Sequence, residues 1–447
     1  WLVNVVAGGE TGGADLAAYF FLRAFELLAP TGSLGLLGTN TVGQGDTRQV
    51  GLDQMVNAGF TITRCVQSMK WPTAGASLQI AEVWGTRRYV TADIPRVADG
   101  IPVPRISTLL EPTGRVRGDP FRLAENSGQA FIGCFVLGMG FIVEPEEAQA
   151  WIHADARNTE VLFPYLNGYD LNLRPDCSPS RWVIDFGERP EREAKTFKLP
   201  WRRVSERVRP ERITKDAAKY PRMVNEWWKF WNARPAMRKA IAELDEVLVI
   251  ALVSKTVIPV RVHARQVFSH KLGVFATDSY AVETILSSSM HYNWAVKYSS
   301  TLGTGVNYSP SDAFLTFPFP KPNDRMRRVG RALDSERREI MLRRDLGLTK
   351  LYNLVNDPDI ADFADRDVAR LREIHVEIDE AVMAAYGWSD VPMDHGFHTY
   401  RQMTRWTISP AARVEVLDRL LEENHRRAAG QGEPPAPVDD EEIGGDE

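Results

Sequence analysis

Cysteine is scarce in this 447-residue chain: there are three, Cys65, Cys134 and Cys177, far apart in sequence. None of them has the short spacing of a metal knuckle, and an odd, sparse count suits a reducing cytoplasm. Long hydrophobic runs are missing too. Nothing approaches the roughly 18 apolar residues that span a bilayer, so no membrane partner is expected. Gly8-Gly9 and Gly12-Gly13 precede a helix, which invites a phosphate-loop reading. No Gly-Lys-Ser/Thr follows and no strand of useful length comes before, which favours a flexible loop. An initiator Met is also lacking, since Trp1 stands in its place, and the first ninety residues read as half of an α/β sheet whose other half lies upstream. The want of a signal peptide is therefore no evidence about destination.

What is present begins with helical spacing. Asp15 can cap a helix whose apolar positions are Leu16, Tyr19, Phe20, Ala24, Leu27 and Leu28, stopped by Pro30-Thr31-Gly32. The continuous apolar run 33–38 predicts a strand buried on both faces by helices, ending in the polar Thr39-Asn40-Thr41. A second helix is expected over about 47–58, closed by Gly59, then two successive strands over 60–68 and 78–86 that suggest a sheet finishing in a hairpin. Ligands of open α/β sheets collect outside the carboxyl ends of strands. Thr39, Asn40 and the loop 70–77 are thus the places to look, with Trp71 able either to stack a flat ligand or simply to cap the side chains below.

Net charge is −5, yet its distribution is uneven. Between Trp201 and Lys239 stand twelve Lys or Arg against four acids, interleaved with Trp201, Tyr220, Trp227, Trp228, Phe230 and Trp231. Cations fix phosphates and aromatics can stack on unpaired bases, so this segment is a candidate nucleic-acid surface. The competing reading is an amphipathic stretch whose Trp residues are core. Compensating acid is concentrated in the tail at Asp439-Asp440-Glu441-Glu442 and Asp446-Glu447.

The length allows two or three domains. Residues 1–90 form the partial sheet, and the proline-bearing 91–120 form a linker or loose strand region. Over 121–320 the pattern changes to short strands, among them 129–136, 141–143, 182–186, 247–253, 261–263, 267–276 and the ending 314–320, with a helix over about 279–297. Residues 321–429 read as helical and charged, and 430–447 as an acidic tail too poor in apolar residues to fold. No internal repeat is evident. Asp176, Glu193 and Lys195 fit the loose pattern of metal-dependent nucleases, although Pro179 and Pro190 disturb the strands it needs. His395 and His398 could share a metal, but Gly396 between them favours a loop, and no metal is expected.

Several segments together resemble one family. These are Asp15-Leu16 through Glu26-Leu27-Leu28, Gly35-Leu36-Leu37-Gly38-Thr39-Asn40-Thr41, and Trp71-Pro72 through Gly75-Ala76-Ser77. Further along come Phe163-Pro164-Tyr165-Leu166-Asn167-Gly168-Tyr169-Asp170, Trp182-Val183-Ile184-Asp185-Phe186, Ser288 to Trp294, Tyr308-Ser309-Pro310-Ser311 and Phe317-Pro318-Phe319-Pro320. Leu348 to Asn353 and Tyr386-Gly387-Trp388 complete the set. They resemble large adenine-specific DNA methyltransferases, with the nearest likeness to MmeI-like single-chain restriction-modification enzymes and related phage-defence methylases. The resemblance implies the C-terminal half of a Rossmann-like class I methyltransferase sheet, then a mixed target-recognition domain and a helical C-terminal region, α/β and α+β in class. It also implies S-adenosylmethionine-dependent methylation of the exocyclic amine of an adenine flipped out of double-stranded DNA.

The family's Asn-Pro-Pro-aromatic tetrapeptide and Gly-rich cofactor loop are not in this sequence: Asn4 is followed by Val5. No catalytic residue is expected in the chain itself, S-adenosylmethionine is expected to be held mainly by residues upstream, and the chain alone is expected to be inactive. By position, the resemblance places Trp71 against the flipped base, lets Gly75 and Ala76 allow close approach, and puts Thr39 and Asn40 on the same edge. Gln44 and Arg48 would meet the DNA backbone, and Arg202, Arg203, Arg207 and Arg209 follow as phosphate contacts from the charge map. His291 and Trp294 share a helix face that either packs internally or meets DNA. A nuclease domain or subunit is a possible partner. Two other readings stay open: a non-catalytic DNA-binding specificity module for a separate methylase or nuclease subunit, and a metal-dependent nuclease built on Asp176, Glu193 and Lys195.

Overall fold

A computed structural model describes residues 1–10, 12–72, 78–91, 94–116, 118–302, 305–401 and 403–438. The N-terminal unit has the helix that its cap and spacing predict, but with another face inward: of the expected apolar positions Tyr19 is buried, whereas Leu16, Phe20 and Leu27 are exposed. Helix α1 (Leu16–Glu26) is capped by the Asp15 carboxylate, which accepts from the amide of Ala17, and buries Tyr19, Phe21, Leu22 and Phe25. A helical run over 45–57 follows strand β1 (Ser33–Thr39), its middle turns, Gln49–Asp53, wound more widely. Gly59, at φ +94°, releases the chain into the hairpin of β2 (Thr61–Lys70) and β3 (Gln79–Thr86). The hairpin does not simply extend the sheet. β3 inserts between β1 and β2 and is antiparallel to both, which leaves β1 and β2 pointing the same way.

Two expectations change here. The run 33–38 is not buried on both faces: among the described residues β1 is an outer strand paired only with β3, and Leu37 is 50% exposed. The segment 91–120, read as a linker or loose strands, supplies β4 (Arg96–Ala98) and β5 (Ile101–Val103). β4 lies parallel to β2, β5 closes the far edge, and Leu110 enters the sheet's core.

The body that follows is a mosaic of short strands. In chain order they are β6 (Ala130–Ile132), β7 (Ile142–Val143), β8 (Leu162–Leu166), β9 (Arg181–Ile184), β10 (Glu246–Ala251), β11 (Val253–Ser254), β12 (Val260–His263), β13 (Val267–Phe268), β14 (Leu272–Phe275), β15 (Ser300–Leu302) and β16 (Gly305–Asn307). They assemble as a four-stranded sheet β12-β10-β14-β6, a second in the order β13-β8-β9-β7, and a small β11-β16-β15 sheet. One core joins the two larger sheets through residues such as Phe141, Val183, Val249, Phe268 and Val274. Helices α2 (Tyr280–Ser287) and α3 (Ser289–Tyr298) replace the single helix expected over 279–297; Ser288 breaks it and caps the second half by accepting from the His291 amide. The strand expected over 314–320 is absent. A helical turn (Pro310–Phe314) ends there, and Pro318 and Pro320 lack the amides a ladder needs.

Long helices α4 (Asp324–Arg344), α5 (Arg366–Tyr386) and α6 (Pro410–Ala428) pack on this body, with a hairpin of β17 (Gly396–Tyr400) and β18 (Met403–Thr407). α4 packs along α2, where the buried Glu283 is held between Arg261 at 3.0 Å and Arg337 at 3.1 Å. Beyond α6 the chain crosses back over the body. Gln431 bonds the amide of Ala124 and the carbonyl of Arg122, and Val438 exchanges bonds with Ser311. Residues 439–447 of the acidic tail lie outside the described residues. No described helix is long and apolar enough to cross a membrane.

Candidate nucleic-acid interface

At one end of the first sheet lie three of the five residues expected in the base pocket, Thr39, Asn40 and Trp71. Thr39 closes β1 opposite Ile80, and Lys70 closes β2 opposite Gln79, so Thr39, Asn40 and Trp71 share one edge. Trp71 is partly exposed and its amide donates to the Leu78 carbonyl. Gly75 and Ala76 fall within 73–77, outside the described residues. The Thr39 hydroxyl donates to Asp15 at 2.9 Å, Thr41 reaches the same oxygen at 3.3 Å, and Asn40 donates to the Ser68 hydroxyl at 3.2 Å. Asp15, Ser68 and Gln79 therefore belong to this edge as well. In the sequence Asp15 marks a helix cap and opens one of the segments that carry the resemblance, and Ser68 and Gln79 give no signal beyond lying near strand ends.

Beside the edge, Gly13 donates its amide to Asp46 at 2.8 Å, and a side chain at Gly12 would meet the same carboxylate at 2.8 Å. Gly12 and Gly13 thus lie against Asp46. Gln44 and Arg48, expected at the DNA backbone, are both buried. The Arg48 guanidinium is held by Asp119 at 2.6 and 2.9 Å and by Asp53 at 3.6 Å; burial alone would lower its pKa, but the Asp119 contact raises it. In this arrangement Arg48 ties the first unit to the segment ahead of the strand-rich body instead of facing solvent.

The basic segment divides. Arg202, Arg207, Arg209, Lys215, Lys219 and Lys239 are exposed. The other six turn inward or pair. Arg212 is fully buried and donates to the carbonyls of Val136, Leu137, Trp227 and Lys229. Burial pushes its pKa down to about 10. Arg203 bonds Glu147 and the Ile142 carbonyl, Arg222 and Lys229 share Glu188, Arg238 pairs with the buried Asp185 at 2.7 Å, and Arg234 is buried beneath the Phe135 ring. The tryptophans follow the core reading: Trp227 and Trp228 are buried, with ring centroids 4.8 and 6.3 Å from that of Trp201. His291 and Trp294 are interior too, the histidine lying 3.1 Å from both the Leu286 carbonyl and the Tyr308 hydroxyl.

The nuclease pattern does not form a cluster of shared contacts. Asp176 bonds Ser178 and Arg174, Glu193 pairs with Arg189, and Lys195 pairs with Glu191. His395 bonds Asp379 while His398 bonds the Asp394 carbonyl, and no described group of three or more His, Cys, Asp or Glu could hold a metal ion. The thiols are buried. Burial pushes Cys65 up to about 12 and Cys177 up to about 11, which leaves them little thiolate.

Residues 134–321 match the family model described as "MmeI, target recognition domain". Among solved structures, the type IIL restriction-modification enzyme MmeI in complex with DNA is similar at a TM-score of 0.69 and 16% identity, covering 96% of this chain and 54% of that one. The chain thus spans about half the length of the MmeI chain it matches. The type IIG restriction endonuclease BpuSI is far less similar, at a TM-score of 0.31 and 11% identity over 84% of this chain and 50% of the other. No curated protein matches. Residues 134–321 thus resemble the target recognition domain of MmeI, within a mixed α/β fold similar to that of MmeI over 96% of this chain.

Proposed function

We propose that this chain is the DNA-reading part of an adenine-N6-specific DNA methyltransferase of a restriction-modification or phage-defence system. The observation that carries the reading is the match of residues 134–321 to a target recognition domain. That body would read a duplex through base edges and hold it through exposed cations such as Arg202, Arg207 and Arg209. The edge formed by Thr39, Asn40 and Trp71 would receive the adenine once it leaves the helix, with the Trp71 ring as a stacking face.

S-adenosylmethionine and the Asn-Pro-Pro-aromatic tetrapeptide are assigned to a further segment, in the same polypeptide or a separate subunit. Two features favour such a segment. The fold spans 54% of the MmeI chain. The outer strand β1 and the solvent face of α1 also expose Leu37, Leu16, Phe20 and Leu27, an apolar surface suited to another strand and helix of the same sheet.

The test joins the chain to the remainder of its coding sequence, or mixes the two, and follows transfer of a labelled methyl group to duplex adenine. Transfer by the combination and none by either part supports the reading. Duplex binding with no adenine methylation by the combination points to the specificity module serving another subunit.

A further inference from the structure

A single carboxylate joins the recognition body to the candidate base edge. Glu111 lies between them, its side chain only 14% exposed. From the β17–β18 hairpin, the Tyr400 hydroxyl donates to Glu111 Oε1 at 2.6 Å and Arg401 Nη2 at 3.2 Å. Arg401 is itself fixed on α3, donating to the carbonyls of Val296 and Lys297. Burial alone would raise the Glu111 pKa, but Arg401 and then Lys297 outweigh it and hold the carboxyl below the usual range, so it stays charged.

The same oxygen accepts from Gln67 Nε2 at 2.8 Å, on β2. Gln67 sits where the β2–β3 register slips between Val66 and Met69, and its amide bonds Asp99 at 2.9 Å. Such bulges re-aim side chains. The next residue, Ser68, accepts from Asn40 at 3.2 Å and donates to Gln79 at 3.2 Å.

We propose that Glu111 is a positioning residue: through Gln67 and Ser68 it sets the bulge that holds Asn40, and so couples the recognition body to the edge where the target base would dock. The edge's role rests on the function proposed above, whereas the coupling is a property of this chain and is tested separately.

Amide hydrogen exchange on the whole chain reads it. Glu111→Ala is expected to speed exchange over 40–44 and 67–70 by about tenfold, while β10 and β14 exchange at wild-type rates. Glu111→Gln keeps an acceptor for Tyr400 and Gln67 and is expected to recover most of the protection. Gln67→Ala should reproduce the effect, with the double variant no worse than either single one. Unchanged exchange at 40–44, or loosening spread evenly over the chain, overturns the proposal. Saturating duplex DNA is then expected to slow exchange at 40–44 in the wild type and not in Glu111→Ala; equal slowing in both also overturns it. Failure of the wild type to bind duplex counts against the proposed function, and the DNA-free comparison still decides the coupling.

Discussion

Arg212 Nη2 donates to the carbonyl of Val136 at 2.8 Å, joining the centre of the basic segment to the strand region where the recognition body begins. Three further carbonyls, of Leu137, Trp227 and Lys229, converge on the same guanidinium. A residue counted among the cations of the candidate nucleic-acid surface is thus the pin that closes the body's own backbone.

Arg212→Met is accordingly expected to destabilise the chain by about 3 kcal/mol or more, because buried carbonyls lose their donors at roughly 1–3 kcal/mol each. Arg207→Met, at an exposed site, should stay within about 0.5 kcal/mol of wild type. Denaturant midpoints distinguish the two; equal effects would contradict the assignment.

Neutralising Arg202, Arg207 and Arg209 together is expected to weaken duplex binding and to reduce the log–log salt slope by about 0.9 for each phosphate contact removed. Arg203, held by Glu147 and the Ile142 carbonyl, should add little to that slope when it is also replaced. Anisotropy titrations across salt concentrations measure both effects.

His291 and His375 predict the response to acid. His291 is buried and His375 half-buried, and desolvation lowers the pKa of each to about 4 from an ordinary 6.5. The Leu286 carbonyl fixes the His291 proton on Nδ1, leaving Nε2 to accept from Tyr308. Between these pKa values the unfolded chain binds more protons, so the stabilisation is complete above pH 6.5 and is lost as pH falls toward 4, at about 1.4 kcal/mol per unit for each ring. His291→Gln and His375→Gln should flatten that part of a stability–pH curve, measured by denaturation at fixed ionic strength.

The first unit was legible because its signals are local. The Asp15 cap, the helical spacing around Tyr19 and the Gly59 stop each act within a few residues, and the helices they predict are there, although the face that packs is Phe21, Leu22 and Phe25 and not Leu16, Phe20 and Leu27. The order in which β3 inserts between β1 and β2 was not, since strand pairing depends on contacts distant in sequence. The basic segment misled for a related reason. Composition counts Arg212, Lys229 and Arg238 as surface charge, whereas their partners, Val136, Glu188 and Asp185, lie far away in the chain. Thr39, Asn40 and Trp71 could be placed together because strand ends define an edge. Glu111 could not, because its partners come from β2 and from a hairpin near residue 400.

Trp71→Ala, in the chain combined with its remainder, is expected to lower methyl transfer by tenfold or more while changing duplex affinity less than twofold. A partly exposed ring at the sheet edge meets only the extruded base in the proposed arrangement, and base–aromatic stacking is worth about 1–3 kcal/mol. Equal losses in transfer and affinity would assign Trp71 to packing.

The central claim, that residues 134–321 read duplex sequence, is tested most directly by selecting binders for this chain from a pool of random duplexes. Enrichment of one defined sequence, lost when a base pair within it is changed, is the predicted result; a pool that stays random through successive rounds, or retention independent of sequence, would contradict the account.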